Sequence, residues 1–152
     1  MEMRIVDLLP PEHIILDLPT QDKVEAIKGM IGVLEEGREI TDRNTFFNCL
    51  MEREQQETTG IGDGVALPHG RTDAVKDMLM VLARSAKGVA FAALDGKPVY
   101  LLILIAAPRN ESTRMLKLLA RISRLLSNTD FRQALQTAAS KEEIGSLFSR
   151  QE

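Results

Sequence analysis

One stretch of the chain, Thr58 to Gly70, combines residue types that could do chemistry; its sequence is TTGIGDGVALPHG. It holds four glycines and one of the chain's two histidines, His69. A neutral imidazole is populated near pH 7, and it can attack phosphorus without a partner base and later pass the phosphoryl group on. On these residues alone, the stretch is either a phosphoryl-binding cradle around His69 or a surface loop in which His69 is an ordinary surface or capping residue.

A histidine that carries a phosphoryl group needs a fixed ring, an exposed nitrogen and donors for the phosphoryl oxygens. Pro68 restricts the backbone just before His69. Thr58 and Thr59 can donate hydroxyls, and Arg53, just ahead of the stretch, can offer a bidentate fork. Backbone amides can approach an anion closely where no side chain intervenes, which is the case at Gly60, Gly62, Gly64 and Gly70.

The glycine spacing does not match the common nucleotide-binding motifs. The residue three positions after Gly62 is Val65, so G-x-G-x-x-G is absent, and no Gly-Lys-Ser/Thr follows. The sequence also lacks the G-x-S-x-G elbow of serine hydrolases. His69 itself is therefore the candidate nucleophile.

A metal centre is not expected from the ligand types available. Cys49 is the single cysteine, so no internal disulfide can form, and FFNCLMER around it suggests a small buried hydrophobic residue. The nitrogen and sulfur candidates for zinc are Cys49, His13 and His69, which are far apart in sequence. We expect neither a metal nor another cofactor, and His13 is interpreted as a structural or surface residue.

Composition narrows the class of protein. A chain of 152 residues, 44% hydrophobic and 27% charged, is typical of a folded globular protein, and we expect a single domain over residues 1–152. A net charge of -3 gives no overall attraction for nucleic acid or anionic lipid. The longest apolar run, 99–107, is too short to span a bilayer, and the N-terminus does not resemble a secretory signal. We expect a cytoplasmic protein with no nucleic-acid partner and no direct membrane insertion.

Helical periodicity appears at both ends of the chain. The apolar spacing predicts one helix from Thr20 to near Gly37 and a second over residues 41–54, which delivers Arg53 just ahead of the glycine stretch. A third apolar stripe begins at Met115, and shorter helices are predicted at 131–137 and 141–148. Ser140 and Glu143 form the capping box of the last one.

Dense apolar runs in the middle of the chain predict strands. They are HIILDL at 13–18, MLMVLARSA at 78–86, GVAFAAL at 88–94 and VYLLILIAA at 99–107. The last run is apolar throughout, which indicates a central strand covered on both faces. The predicted fold class is α/β, with a mixed β-sheet of about five strands sandwiched between helices.

Three separate segments together carry a resemblance to a known family. TTGIGDGVALPHG, preceded by Arg53 and followed by FAALDGKPVYLLILIAAP and MLKLLARISRLL, resembles the EIIA component of the bacterial phosphotransferase system, in its fructose/mannitol and nitrogen-regulatory branch. The similarity spans almost the whole chain. It implies a single EIIA-type phosphocarrier domain in which His69 accepts a phosphoryl group from an HPr-type phosphocarrier protein, and a fold with a mixed sheet between helices.

One position departs from the family pattern. Members often carry a second histidine near the start of the helix after the Pro turn, beside the phosphorylated one, and here Met115 stands at that place. A thioether cannot donate a hydrogen bond or carry charge, so we expect the pocket wall to lack one electrostatic partner. Arg114, the preceding residue, is a candidate to compensate.

The resemblance leaves three functions open. The first is a phosphohistidine carrier in a nitrogen or metabolic regulatory role, with a regulatory protein as its target; the branch-level likeness of the loop favours this one. The second is the EIIA component of a fructose/mannitol-type sugar transporter that passes phosphate to an EIIB. The third is a degenerate binding module that is not phosphorylated. The resemblance thus points to a phosphoryl carrier rather than a free-standing metabolic enzyme.

Overall fold

The computed structural model describes residues 4–152. Within them, six strands form one mixed sheet in the order β1-β5-β6-β3-β2, with β4 also paired to β6. The strands are β1 Ile14–Ile15, β2 Gly60–Gly62, β3 Val65–Ala66, β4 His69–Arg71, β5 Leu79–Val89 and β6 Val99–Ala107. The α-helices are α1 Lys23–Glu36, α2 Arg43–Gln56, α3 Ser112–Leu126, α4 Thr129–Thr137 and α5 Lys141–Ser149. This is the predicted α/β class, with one strand more than expected.

Strand β6 is the centre of the sheet, and its bounds are those predicted from the apolar run. It pairs antiparallel with β5 and parallel with both β3 and β4. Because side chains alternate along a strand, those of β6 contribute to two hydrophobic cores, one on each face of the sheet. Leu101 and Ile103 pack with α3, α4 and α5, whereas Leu102 and Leu104 pack with α1 and α2. The prediction of a central strand covered on both faces is confirmed.

Two strand predictions need correction. GVAFAAL is not a separate strand, because β5 continues through Gly88 to Val89. Gly88 has a φ of 90° at a register shift in the β5–β6 pairing, so it marks a bulge rather than a break. Beyond it, Ala92 has a φ of 53°, which ends extended structure. HIILDL contributes only the two residues of β1, because a short 3-10 helix, Pro11–His13, occupies its start.

Aspartates fix the starts of the first two long helices. The Asp22 carboxylate accepts from the amide of Glu25, and that of Asp42 accepts from the amide of Thr45. These caps place the helix starts two to three residues after the predicted ones, since a carboxylate is a stronger N-cap than the threonine that precedes it. The Ser140 cap is confirmed, with its Oγ accepting from the amide of Glu143 at 3.1 Å.

The apolar stripe of α3 is also confirmed. Met115, Leu118, Ile122 and Leu126 are buried along one face of this helix. Among residues 4–152, no helix is both long and apolar enough to cross a membrane.

Candidate functional site

A cavity of about 750 Å³ opens between α2, β4 and the start of α3. Of the residues singled out from the sequence, Arg53, His69, Gly70 and Met115 line it. The other lining residues are Thr45, Asn48, Cys49, Glu52, Gln56, Arg71, Thr72, Arg109, Ser112 and Leu116. The structure therefore brings His69, Arg53 and the position of the missing second histidine to one place.

The ring of His69 is held by a backbone carbonyl. Strand β4 runs parallel to β6 with His69 opposite Ile105, which fixes the backbone beneath the ring. Nδ1 of His69 lies 2.7 Å from the carbonyl oxygen of Leu67. A carbonyl can only accept, so Nδ1 carries the proton and donates. In the neutral ring this leaves the lone pair of Nε2 available on the cavity side.

Arg53 is the hydrogen-bond donor to that nitrogen. Its Nε donates to Nε2 of His69 at 3.3 Å, and its Nη1 donates to the carbonyl of Glu57 at 3.4 Å. Helix α2 can come this near β4 because Gly70 has no side chain: a Cβ there would lie 2.8 Å from Sγ of Cys49. Gly70 thus permits the close helix-strand approach that sets Arg53 against His69.

The surroundings favour the neutral form of His69. Burial lowers the pKa of the imidazole below its ordinary 6.5, and the positive charge of Arg53 acts in the same direction. The hydrogen bond to Leu67 and the carboxylate of Glu54 oppose that shift in pKa without reversing it. A histidine with a lowered pKa is unprotonated at neutral pH, which is the form that can act as a nucleophile.

Two further arginines line the cavity and were not found from the sequence. Arg71 lies two residues after His69 on β4, so its side chain leaves the same face of the strand. Its Nη1 donates to the carbonyl of Arg109 at 3.1 Å. Strand alternation from His69 would have indicated Arg71, whereas Arg109 reaches the cavity only because β4 and β6 run parallel.

The charged lining suits an anion. Among the described residues it comprises Arg53, Arg71 and Arg109 against the single carboxylate of Glu52. Guanidinium groups bind phosphoryl oxygens with paired, charge-assisted hydrogen bonds. The cavity therefore combines an unprotonated imidazole nitrogen with an excess of positive charge.

The two threonines at the start of the glycine stretch lie away from the cavity. Thr58 Oγ1 donates to the carbonyl of Phe91 at 3.1 Å. The amide of Thr59 donates to the Glu54 carboxylate at 3.1 Å, and its hydroxyl donates to the same group. Nζ of Lys23, a partly exposed side chain, lies 2.8 Å from the buried Glu54 carboxylate and forms an ion pair with it. This network attaches the stretch to α2 beside Arg53.

The glycines before Pro68 shape a hairpin. Gly62, Asp63 and Gly64 all have positive φ, and this turn reverses the chain between β2 and β3. Gly60 packs against Ala93, where a Cβ would lie 2.8 Å from the backbone. The structure does not bring these three glycines to the cavity, so their contribution is to carry the chain to β4 and His69.

Met115 forms an apolar part of the cavity wall. This side chain is 6% exposed and belongs to the core between the sheet and α3, while still lining the cavity. Arg114, the candidate to compensate, pairs with Glu111 at 3.4 Å and is not a lining residue.

The remaining candidate residues lie in structural settings. His13 is buried, with Nδ1 2.9 Å from the carbonyl of Met80 and Nε2 2.6 Å from Glu39, in agreement with the structural interpretation. Cys49 was expected to be a small buried residue, but it is only half-buried, because it lies on the side of α2 that lines the cavity. Its Sγ donates to the carbonyl of Arg71 at 3.2 Å, and burial raises the pKa of its thiol. Within the described part of the chain, no cluster of three or more His, Cys, Asp or Glu side chains is arranged to hold a metal ion.

The chain is similar in sequence and fold to several known proteins. The fructose-specific EIIABC component of Bacillus subtilis is 33% identical over 97% of this chain, which spans 23% of that protein's length. The fructose-specific EIIA component of Haloferax volcanii is 36% identical over 95% of this chain and 94% of its own. The crystal structure of the nitrogen regulatory protein IIA-Ntr from Neisseria meningitidis has a TM-score of 0.89 and 33% identity, covering 95% of this chain and 98% of that one.

The family match covers nearly the whole sequence. The model described as "Phosphoenolpyruvate-dependent sugar phosphotransferase system, EIIA 2" matches residues 7–151. The chain therefore belongs to the EIIA 2 family of the phosphoenolpyruvate-dependent phosphotransferase system.

Proposed function

We propose that this protein is a cytoplasmic phosphohistidine carrier in which Nε2 of His69 accepts a phosphoryl group from an HPr-type carrier. The observation that carries the proposal is the hydrogen bond from Nδ1 of His69 to the Leu67 carbonyl. It leaves Nε2 as the nitrogen with a lone pair, directed at Arg53 in a cavity with excess positive charge.

The transfer follows from this arrangement. The bond between Nε2 of His69 and phosphorus forms as the bond between phosphorus and the donor's leaving atom breaks. The proton on Nδ1 stays in its hydrogen bond to Leu67, whose carbonyl stabilises the positive charge that the ring gains. Arg53 moves its donors from Nε2 to the phosphoryl oxygens, where charge is spread in the transition state.

What happens to the phosphoryl group after it reaches His69 distinguishes two roles. EIIA domains of this family pass phosphate between HPr-type carriers and EIIB. We propose a regulatory role as the first candidate, with a protein target that responds to phosphorylation of His69. Similarity to IIA-Ntr over 98% of that chain supports it. Sugar transport is the second candidate, supported by 36% identity to a fructose-specific EIIA component.

The test is phosphorylation from phosphoenolpyruvate. The protein is incubated with enzyme I, an HPr-type carrier and phosphoenolpyruvate, and its intact mass is measured. We expect one acid-labile phosphoryl group, absent in His69→Ala and retained in His13→Gln, with circular dichroism confirming that each variant is folded. No addition to the wild-type protein with any carrier would contradict the proposal and favour a binding module that is not phosphorylated.

A second measurement separates the two roles. The phosphorylated protein is mixed with a fructose-type EIIB, and transfer to the EIIB cysteine is followed by mass. Rapid transfer supports sugar transport. Loss of binding to a target when His69 is phosphorylated, without transfer to EIIB, supports regulation. Gene neighbourhood gives a second indication: an adjacent sugar permease gene would support transport, and an adjacent nitrogen sigma factor gene would support regulation.

A further inference from the structure

A second cavity, of about 380 Å³, lies near the start of β6, away from His69. Strand register fixes its position, because Leu101 of β6 is paired with Arg84 of this cavity, whereas Ile105 is paired with His69. Four residues of extended strand separate these two points by about 13 Å. We call it the distal cavity, and its polar lining residues are Asp17, Arg84, Ser85, Tyr100 and Gln136. None of them lines the cavity at His69.

Arg84 brings a positive charge to the distal cavity without a carboxylate partner. Its Nε donates to the carbonyl of Leu16 at 3.2 Å. Its Nη1 donates to carbonyls at the end of α4, which are those of Leu135, Gln136 and Ala138, at 3.0, 3.1 and 2.7 Å. In the described part of the chain, no carboxylate forms an ion pair with this guanidinium and no group accepts from its Nη2. The carbonyls hold the guanidinium in place and leave Nη2 for an anionic partner.

Asp17 supplies the opposite charge on the same lining. It is exposed, and its carboxylate has neither an ion pair nor a hydrogen bond among residues 4–152. It does not pair with Arg84, although it directly follows Leu16, whose carbonyl accepts from Nε of Arg84. The distal cavity thus presents one cation and one anion that do not neutralise each other. This arrangement complements a ligand that carries two separated charges of opposite sign.

Tyr100 and Ser85 add a ring and a hydroxyl to the lining. The Tyr100 ring lies against the backbone of Gly88, where an added Cβ would come within 3.1 Å of it. The Tyr100 side chain is 36% exposed, and its hydroxyl donates to no other described residue. Oγ of Ser85 accepts from the amide of Gly88 at 2.9 Å, which leaves the hydroxyl hydrogen to donate. Small-molecule sites combine apolar surface with a few such placed polar groups.

We propose that the distal cavity binds a free α-amino acid, with the ligand's carboxylate on Nη2 of Arg84 and its ammonium group on Asp17. Both contacts are charge-assisted hydrogen bonds. Small-molecule cavities span about 300–1,000 Å³, and a volume near the lower end suits a ligand of this size. Asp17 disfavours a simple anion such as phosphate, and Arg84 disfavours a simple amine.

The experiment is a titration of the ¹⁵N-labelled protein with each of the common L-amino acids, followed by NMR. Each is added up to about 10 mM, because a ligand with a Kd of about 1 mM would then fill most of the sites. We expect saturable shifts at the amides of Arg84, Ser85 and Tyr100 with at least one amino acid. Its des-amino analogue and its carboxamide should each bind about tenfold more weakly, because each lacks one of the two charges.

Asp17→Asn tests the ammonium contact at an exposed position. Asp77→Asn is the matched control, because it makes the same change in net charge at an exposed residue outside both cavities. We expect Asp17→Asn to weaken binding of the amino acid about tenfold and to leave binding of its des-amino analogue unchanged, since the two changes remove the same contact. Asp77→Asn should bind as the wild type does.

Arg84→Gln tests the carboxylate contact and should abolish binding. Because this change also removes contacts to the end of α4, a melting curve establishes that the variant is folded. If it does not fold, Asp17→Asn with the two ligand analogues decides the question.

The outcomes for the distal cavity are separate from those for the proposed function. His69→Ala should bind the amino acid with wild-type affinity, and a protein that no carrier phosphorylates should still bind it. The proposal is overturned if no amino acid shifts these amides, or if Asp17→Asn and Asp77→Asn bind equally well. Shifts with inorganic phosphate but with no amino acid would also overturn it, because the site would then hold a simple anion.

Discussion

Nε of Arg53 lies 3.3 Å from Nε2 of His69 and donates to it. The lone pair that would attack phosphorus is therefore already engaged in the resting protein, and the arginine has to exchange this acceptor for phosphoryl oxygens during transfer. In the proposed transfer, one side chain would thus shield the nucleophile and then stabilise the group that it receives.

Replacing Arg53 should expose both effects. Arg53→Ala removes the charge-assisted donors to the phosphoryl group, and we expect the phosphorylation rate to fall about 100-fold. The pKa of His69 should rise at the same time, because a positive neighbour has been lost. Rapid-quench kinetics and NMR titration of the ring measure these changes. The phosphorylation rate of Arg53→Lys should lie between those of the wild type and Arg53→Ala. A wild-type rate in Arg53→Ala would show that Arg53 does not act on the phosphoryl group.

The lowered pKa of His69 predicts a pH profile. Burial lowers the pKa of the His69 ring below its ordinary 6.5, so the phosphorylation rate should fall on acidification with a midpoint below pH 6.5. The unfolded chain binds this proton more readily, so the ring's contribution to stability is lost as pH falls below 6.5 towards the folded pKa. Steady-state rates across this range, using His69→Gln to assign the NMR signal, test the profile; a midpoint above 6.5 would contradict it.

Gly70 should tolerate a side chain only if Cys49 is shortened. An alanine Cβ would meet Sγ of Cys49 at 2.8 Å, so Gly70→Ala should lower the free energy of unfolding by about 1–3 kcal/mol and slow transfer by displacing α2. Cys49→Ala in the same chain should recover much of both losses. Urea unfolding of the four proteins in this cycle measures the coupling, and additive effects would show that the close approach is not what Gly70 permits.

Met115 offers a test of the departure from the family pattern. Met115→His places an imidazole on the wall of the cavity, and we expect transfer about tenfold faster, since a hydrogen bond to a charged group contributes about 1.5–3 kcal/mol. Stability should fall by about 1–2 kcal/mol, because the position is 6% exposed and part of the core. Met115→Leu keeps the volume and serves as the control, with no expected change in rate. An unchanged rate in Met115→His would mean that this wall does not face the phosphoryl group.

Replacing Thr59 distinguishes two possible roles of its hydroxyl, which are positioning of the glycine stretch and direct binding of the phosphoryl group. Thr59→Val removes a hydroxyl that donates to the buried Glu54 carboxylate, so the protein should lose about 1–3 kcal/mol of stability. Phosphorylation per folded molecule should stay near the wild-type rate, measured below the melting transition with intact-mass detection. A large loss of rate in a stable variant would instead support the hydroxyl as a phosphoryl donor.

The fold was predictable where one local pattern decides the structure. The all-apolar run of β6, the stripe of α3 and the Ser140 cap each depend on residues close in sequence. Local patterns were ambiguous at the helix starts, where a threonine precedes each capping aspartate. A glycine inside an apolar run, such as Gly88, is compatible with either a β-bulge or the end of a strand. Only the pairing of β5 with β6 shows that it is a bulge here.

The site was predictable only in part, for a related reason. His69 and Arg53 belong to a recognisable local motif. Arg109 lies 38 residues beyond Arg71 and joins it only through the parallel pairing of β4 and β6. Thr58 and Thr59 look like phosphoryl donors in sequence, but their hydroxyls donate to the Phe91 carbonyl, in the segment after β5, and to the Glu54 carboxylate on α2. Only the tertiary packing brings these two partners to the threonines.

The most direct test of the account asks which atom carries phosphorus. The protein, labelled with ¹⁵N in its histidines, is phosphorylated by an HPr-type carrier and examined by ¹⁵N and ³¹P NMR. We predict a phosphoryl group on Nε2 of His69, with Nδ1 still protonated and bonded to Leu67. Phosphorus on Nδ1, on another residue, or on none would contradict the central claim.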